Sequence, residues 1–147
     1  MNLRAATAED AGLMAGLHAA SFADGWSAEA LKGLLTMPGS FAFLVESTVN
    51  PAGFVLARTA ADEAEILTLA VSPAFRRRGL GLTLMRAAAT RAAACGASAL
   101  FLEVDAGNLP ARRLYDTLGF AEVGRRGAYY RRNADQAADA LTLKLPL

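Results

Sequence analysis

Apolar and polar positions change period several times along the 147-residue chain. Asn2 to Ala6 has room for a short first strand. Thr7, with Asp10 three residues on, has the pattern of a capping box, and Leu13, Met14 and Leu17 follow at helical spacing; together they predict a helix over Ala8 to Ala20. Ser27 suits the N-cap of a second helix carrying Leu31, Leu34 and Leu35, which Pro38-Gly39 ends. The period then becomes that of strands. Phe41 to Glu46, Gly53 to Thr59 and Glu65 to Val71, separated by turns at Ser47 to Ala52 and Ala60 to Glu63, read as an antiparallel meander that Pro73 stops. Gly79 to Ala94 predicts a long helix with Leu84, Met85, Ala88 and Ala92 as its buried stripe and Gly96 as its C-terminal cap. Ser98 to Val104 is nearly all apolar, as the buried middle of a sheet requires. Pro110 opens a short helix to Leu118, with Leu114, Leu118 and Phe120 as its core side, and Ala121 to Tyr130 and Leu141 to Leu145 supply two last strands.

The resulting order, β-α-α-β-β-β-α-β-α-β-β, predicts an α/β (α+β) fold with one strand-helix-strand crossover, from Glu65 through the Gly79 helix to Val104. A crossover of that kind makes a parallel pair inside an otherwise antiparallel sheet. The length suits a single domain over residues 1–147. Hydrophobic residues at 54% and charged residues at 20% exclude a disordered chain. The net charge of +1 argues against direct binding of nucleic acid, although the basic residues cluster at Arg76 to Arg78, Arg112-Arg113, Arg125-Arg126 and Arg131-Arg132. One cysteine, Cys95, rules out an intrachain disulfide, and no stretch is apolar and long enough to span a bilayer; a cytoplasmic protein without membrane contact is expected. Cys95 reads as a small packing residue at a helix end and His18 as structural or exposed. No cluster has metal-ligand spacing.

Three segments carry candidate chemistry. Arg76-Arg77-Arg78-Gly79-Leu80-Gly81 lies between a strand and a helix, where glycines admit close approach and the first helical amides lack intrahelical acceptors. With the helix dipole and the arginines this makes a diphosphate cradle; a solvated basic turn is the alternative. No Gly-Lys-Ser/Thr follows, and the third glycine of a dinucleotide fingerprint is missing. In Leu100-Phe101-Leu102-Glu103-Val104 a carboxylate ends a strand expected to be buried. A partly desolvated carboxylate suits a general base, whereas an exposed strand tip would give it no such role. In Leu114-Tyr115-Asp116-Thr117-Leu118-Gly119-Phe120, Tyr115 sits beside the core stripe, as a packing aromatic or a proton donor.

With these segments in view, the chain resembles the GNAT superfamily of N-acetyltransferases, and within it the RimI type that acetylates the N-terminal amine of a ribosomal protein. Arg76, Gly79 and Gly81 match the Gln/Arg-x-x-Gly-x-Gly/Ala loop; the Leu-Glu-Val strand, Asn108, the Leu114-Tyr115 to Gly119-Phe120 ending, Trp26-Ser27 and Tyr129-Tyr130 match as well. The resemblance implies the GNAT fold: a mixed, mostly antiparallel sheet with about seven strands and about four helices, its parallel pair splayed at a cofactor cleft. It implies acetyl-CoA as cosubstrate, held by Leu69, Ala70 and Val71 along the pantetheine, by Arg76, Arg77, Arg78, Gly79, Leu80, Gly81 and Leu82 at the diphosphate, and by Asn108. Glu103 would be the base, Tyr115 the acid, and Trp26, Tyr129 and Tyr130 would meet a protein or peptide N-terminus, a ribosomal protein among the candidates. Asp105 and Gly127-Ala128 depart from the RimI pattern on the acceptor side, and Leu82 stands where a basic residue is common. A small-molecule amine acetyltransferase, and a module that binds coenzyme A or a partner with little catalysis, are the alternatives.

Overall fold

A computed structural model describes residues 1–48, 50–133 and 136–147, with side chains described for 1–48, 50–127 and 138–147. One sheet holds β1 (Asn2–Ala6), β2 (Ser40–Glu46), β3 (Pro51–Ala60), β4 (Glu63–Val71), β5 (Ala99–Asp105), β6 (Ala121–Asn133) and β7 (Gln136–Pro146), in the order β1-β2-β3-β4-β5-β7-β6. All neighbours are antiparallel except β4 and β5. Among the described residues four α-helices cover it: α1 (Ala11–Ser21), α2 (Ala28–Leu35), α3 (Leu80–Ala94) and α4 (Leu109–Leu118). This is the mixed sheet and helix order that the sequence pattern predicts.

The sheet is buried on both faces, which is why its central strands are apolar at nearly every position. Phe54 and Leu56 of β3 pack with Met14 and Leu17 of α1 and Leu31 of α2. Val55 and Ala57, pointing the other way, pack with Leu84, Met85, Ala88 and Ala92 of α3. The predicted α3 stripe is therefore the buried one, and α4 joins it on the same face through Tyr115.

Several boundaries move for local reasons. The first helix begins as a 3-10 turn, Ala8–Asp10, before α1. Asp10 accepts the Thr7 N–H at 2.9 Å, closing the expected capping box, and also binds Arg4 at 2.7 Å. β7 starts five residues before Leu141 because its backbone pairs with β6 whatever its side-chain pattern. Leu114 and Leu118 are only partly buried, whereas Tyr115 is the deeply buried member of α4. Cys95 is exposed, not a packing residue: it is the C-cap of α3, beyond the last turn that touches the sheet. No helix among the described residues is long and apolar enough to cross a membrane. Those residues hold no group of His, Cys, Asp and Glu that could bind a metal ion.

Candidate active site

The site begins where the parallel pair fails. β4 and β5 are in register only at Glu63↔Ala99, Ala64↔Leu100 and Glu65↔Phe101. Immediately beyond, β4 carries a bulge: Ala57 of β3 faces Ile66 and Leu56 faces Thr68, so Leu67 is an extra residue. A bulge bends its strand and reverses the alternation after it. Accordingly Ala64 and Ile66 belong to the α3 face, and Leu69 and Val71 do too, although strict alternation from Ile66 would turn them away. The bend carries the end of β4 off β5 and opens a cleft of about 510 Å³ between them, lined by β4 from Ile66 to Leu69 and by β5 from Leu102 to Asp105.

The cleft joins the two faces of the sheet. Leu100, Leu102 and Val104 of β5 lie on the α3 side. Glu103 therefore points to the α1 side, where the cleft wall is made by His18, Phe22, Asp24 and Trp26. On the opposite side Asn108, Ala111, Leu114 and Tyr115 line it. The cleft thus brings together Glu103, Tyr115, Asn108, Leu69 and Trp26 of the sequence-derived set.

Tyr115 is 7% exposed, with its ring edge-on to Phe120 at 5.7 Å. Its hydroxyl has no partner among the described residues and is not enclosed, so it opens into the cleft. Burial pushes the phenol up to about 12, so the group keeps its proton at neutral pH. Glu103 departs from expectation. The helices of the α1 face cover β3 and β4 but stop short of this end of β5, and the Glu103 side chain is 32% exposed. Its Oε2 accepts from Arg126 Nη2 at 3.2 Å. Of the two sequence readings the exposed strand tip describes its burial, and Glu103 is a carboxylate aimed at the cleft and oriented by an arginine.

The loop before α3 is built for a left-handed turn. Arg77 has φ 63° and Gly79 φ 77°, with open space around the Gly79 Cα. The amides of Leu80, Gly81 and Leu82 have no acceptor among the described residues. Gly81 has a different reason to be glycine: a Cβ there would stand 3.1 Å from Leu114 Cδ2, so its absence lets α3 close onto the residue that lines the cleft. Exposed Arg77 and Arg78 flank the turn, Arg78 stacking over Phe75. Arg76 is tied back, donating from Nε to the Val71 carbonyl at 3.2 Å, and so fastens the loop to the end of β4. Free amides at a helix start, open space and flanking guanidinium groups fit a diphosphate. Ala70 and Val71 continue the edge of β4 that β5 no longer pairs, where the Val71 carbonyl accepts from Arg76 and from the Ser21 hydroxyl. Asn108 caps α4 with its side-chain oxygen on the Ala111 N–H at 3.3 Å, leaving its amide NH2 as a donor. The side chains of Tyr129 and Tyr130 lie outside the described residues.

Residues 13–120 match the model of the acetyltransferase (GNAT) family. The chain belongs to that family. The ribosomal protein bS18-alanine N-acetyltransferase of Salmonella typhimurium is 38% identical over 96 residues, 65% of this chain and 64% of that protein. The matched stretch is thus slightly under two thirds of that relative's length. A Bacillus subtilis relative, provisionally given the same activity, is 32% identical over 122 residues, 82% of this chain and 81% of that protein. The crystal structure of the ribosomal-protein-S18-alanine N-acetyltransferase from Escherichia coli has the same GNAT fold. It superposes with a TM-score of 0.90 at 28% identity, covering 99% of this chain and 92% of that one.

Of the two sequence readings of His18, structural or exposed, the structure excludes the second. The residue is neither exposed nor remote from the cleft: it is 3% exposed and forms part of the wall. His18, Phe22 and Trp26 are each four residues apart, but only His18 lies in α1; Phe22 is its C-cap, with extended backbone, so helical spacing alone does not bring the three rings together.

Proposed function

We propose that this chain, as a single domain over residues 1–147, is an acetyl-CoA-dependent N-acetyltransferase whose acceptor is the N-terminal α-amine of a protein, a ribosomal protein foremost. One observation carries the reading: the bulge at Leu67 opens a cleft through the sheet, with Glu103 facing one mouth and Tyr115 the other. The RimI-type relatives support the acceptor, and a cytoplasmic location accords with it.

When bound, acetyl-CoA would supply an acetyl group activated as a thioester. The free amides of Leu80, Gly81 and Leu82, with Arg77 and Arg78, would hold its diphosphate. Leu69, Ala70 and Val71 would meet its pantetheine arm along the edge of β4 turned away from β3, where the Val71 carbonyl already accepts from Arg76, and the Asn108 NH2 would be a further donor. The acceptor α-amine, with an ordinary pKa of about 7.7–8.0, arrives largely protonated. Glu103 would take that proton at a carboxylate oxygen, directly or through a water, while Arg126 keeps the group oriented. Tyr115 would give the proton of Oη to the departing thiolate; a phenol at about 12 holds that proton ready. Each role is worth about 10²–10⁴-fold, and holding amine and thioester together supplies much of the rest. Trp26 would border the acceptor.

The test is acetyl transfer from acetyl-CoA to alanyl peptides and to small amines, with mass spectrometry locating the acetyl group. Acetylation of the peptide α-amine in preference to the amines is expected, and Glu103→Gln should lose turnover while still taking up acetyl-CoA. Transfer to amines alone would replace the reading with a small-molecule enzyme. Uptake without transfer to anything would reduce the chain to a binding module.

A further inference from the structure

His18 is a buried side chain that the acetyl-transfer mechanism does not use. Its Nδ1 accepts the Trp26 backbone N–H at 3.0 Å. A nitrogen that accepts carries no proton, so the neutral ring must carry its hydrogen on Nε2. Burial lowers the pKa of the imidazole and keeps it neutral. The ring is clamped between Phe22, at 4.4 Å and 28°, and Trp26, at 4.7 Å and 17°. Tautomer and orientation are therefore both imposed by the surroundings. Nε2 meets no acceptor among the described residues and is not enclosed, so a directed N–H donor opens into the cleft.

That donor stands on the α1 side of the sheet, the side to which Glu103 points. A nitrogen that already carries its proton cannot accept one from the incoming amine, so a second general base is excluded. What it can do is donate to an oxygen. Asp24, Glu103 and Asp105 line the same cleft, and even with Glu103 held by Arg126 a wall with three carboxylates favours an ammonium over a free carboxylate. The oxygen that suits both constraints is an uncharged carbonyl beside a charged amine.

We propose that His18 is a specificity-determining residue: its Nε2–H hydrogen-bonds the carbonyl oxygen of the acceptor's first residue, so the cleft selects an amine one carbon away from a carbonyl over a simple alkylamine. This rests on the reading of the chain as an acetyltransferase of protein N-termini. The Trp26 N–H fixes the donor's tautomer, and the aromatic clamp fixes its aim, so that no ordering remains to be done when the acceptor arrives.

The experiment compares an alanyl peptide, alanine amide and sec-butylamine as acceptors, reading kcat and KM for each. His18→Asn keeps an oxygen for the Trp26 N–H and removes the donor at Nε2; His18→Gln keeps a donor near Nε2. Taking each variant relative to the unaltered enzyme cancels the different basicities of the amines. His18→Asn should lose about 10–100-fold in kcat/KM on the peptide and on alanine amide, mostly through KM, against no more than about threefold on sec-butylamine, the range expected when a carbonyl is left unpaired. His18→Gln should recover part of the loss on the two carbonyl-bearing acceptors, with acetyl-CoA affinity held throughout. Equal losses on all three acceptors would make His18 a purely structural clamp and overturn the proposal, as would an unchanged ratio in His18→Asn. If the unaltered protein acetylates sec-butylamine but neither carbonyl-bearing acceptor, the N-terminal reading itself fails and takes the inference with it.

Discussion

Replacing Tyr115 by Phe separates packing from chemistry at one position. Tyr115 is buried, with its ring against Phe120 and the α3 face, and Phe keeps that ring contact. The atom removed is a hydroxyl with no partner among the described residues, so unfolding free energy should change by no more than about 0.5 kcal/mol. Tyr115→Ala, which deletes the ring, should cost about 3–5 kcal/mol. A proton donor worth 10²–10⁴-fold raises the barrier by about 3–5 kcal/mol when lost. Tyr115→Phe should therefore leave urea unfolding where it was and slow single-turnover acetyl transfer at least about 100-fold. The alkaline limb supplies a second readout. With a folded pKa of about 12 against about 10 unfolded, the folded protein binds more protons in that interval. Its stability is complete below pH 10 and falls as pH rises through 12, by about 2–3 kcal/mol in total. Tyr115→Phe should remove that fall. A single-turnover rate within about threefold of normal would make Tyr115 a packing residue and refute its assignment as the acid.

Gly79→Ala puts a Cβ into open space but at φ 77°, so thermal unfolding should report a loss of about 1 kcal/mol, with calorimetry showing weaker uptake of acetyl-CoA as the turn relaxes. The Arg4 hydrogen bond holds the Asp10 carboxyl below its usual range, so its contribution is present above the unfolded pKa and lost as pH falls through the folded one; in acid titrations Asp10→Asn should flatten the stability profile.

What could be read in advance depended on whether local pattern or sheet geometry decided the matter. The α3 stripe of Leu84, Met85, Ala88 and Ala92 follows from helical spacing, and the turn before α3 from Gly79. The Leu67 bulge leaves no mark on an apolar strand, since either parity looks alike when both faces are buried. For that reason the splay was reached only by resemblance, and the two-sided cleft not at all. Apolar neighbours left open whether Glu103 is buried; on its side of β5 the wall of the cleft leaves its side chain 32% exposed. The closeness of Gly81 to Leu114, 33 positions along the chain, is unseen by any local window. His18 needed the Trp26 backbone, folded back from beyond the end of α1, to give it a tautomer.

The central claim is that the end of β4 and the start of α3 together grip acetyl-CoA. Residue-resolved amide hydrogen exchange, measured by NMR with and without acetyl-CoA, tests it most directly. Slower exchange is expected at Leu69 to Val71 and at Leu80 to Leu82, with β1 unaffected. Saturating acetyl-CoA that leaves both segments unchanged, or protects some other face of the sheet, would contradict it.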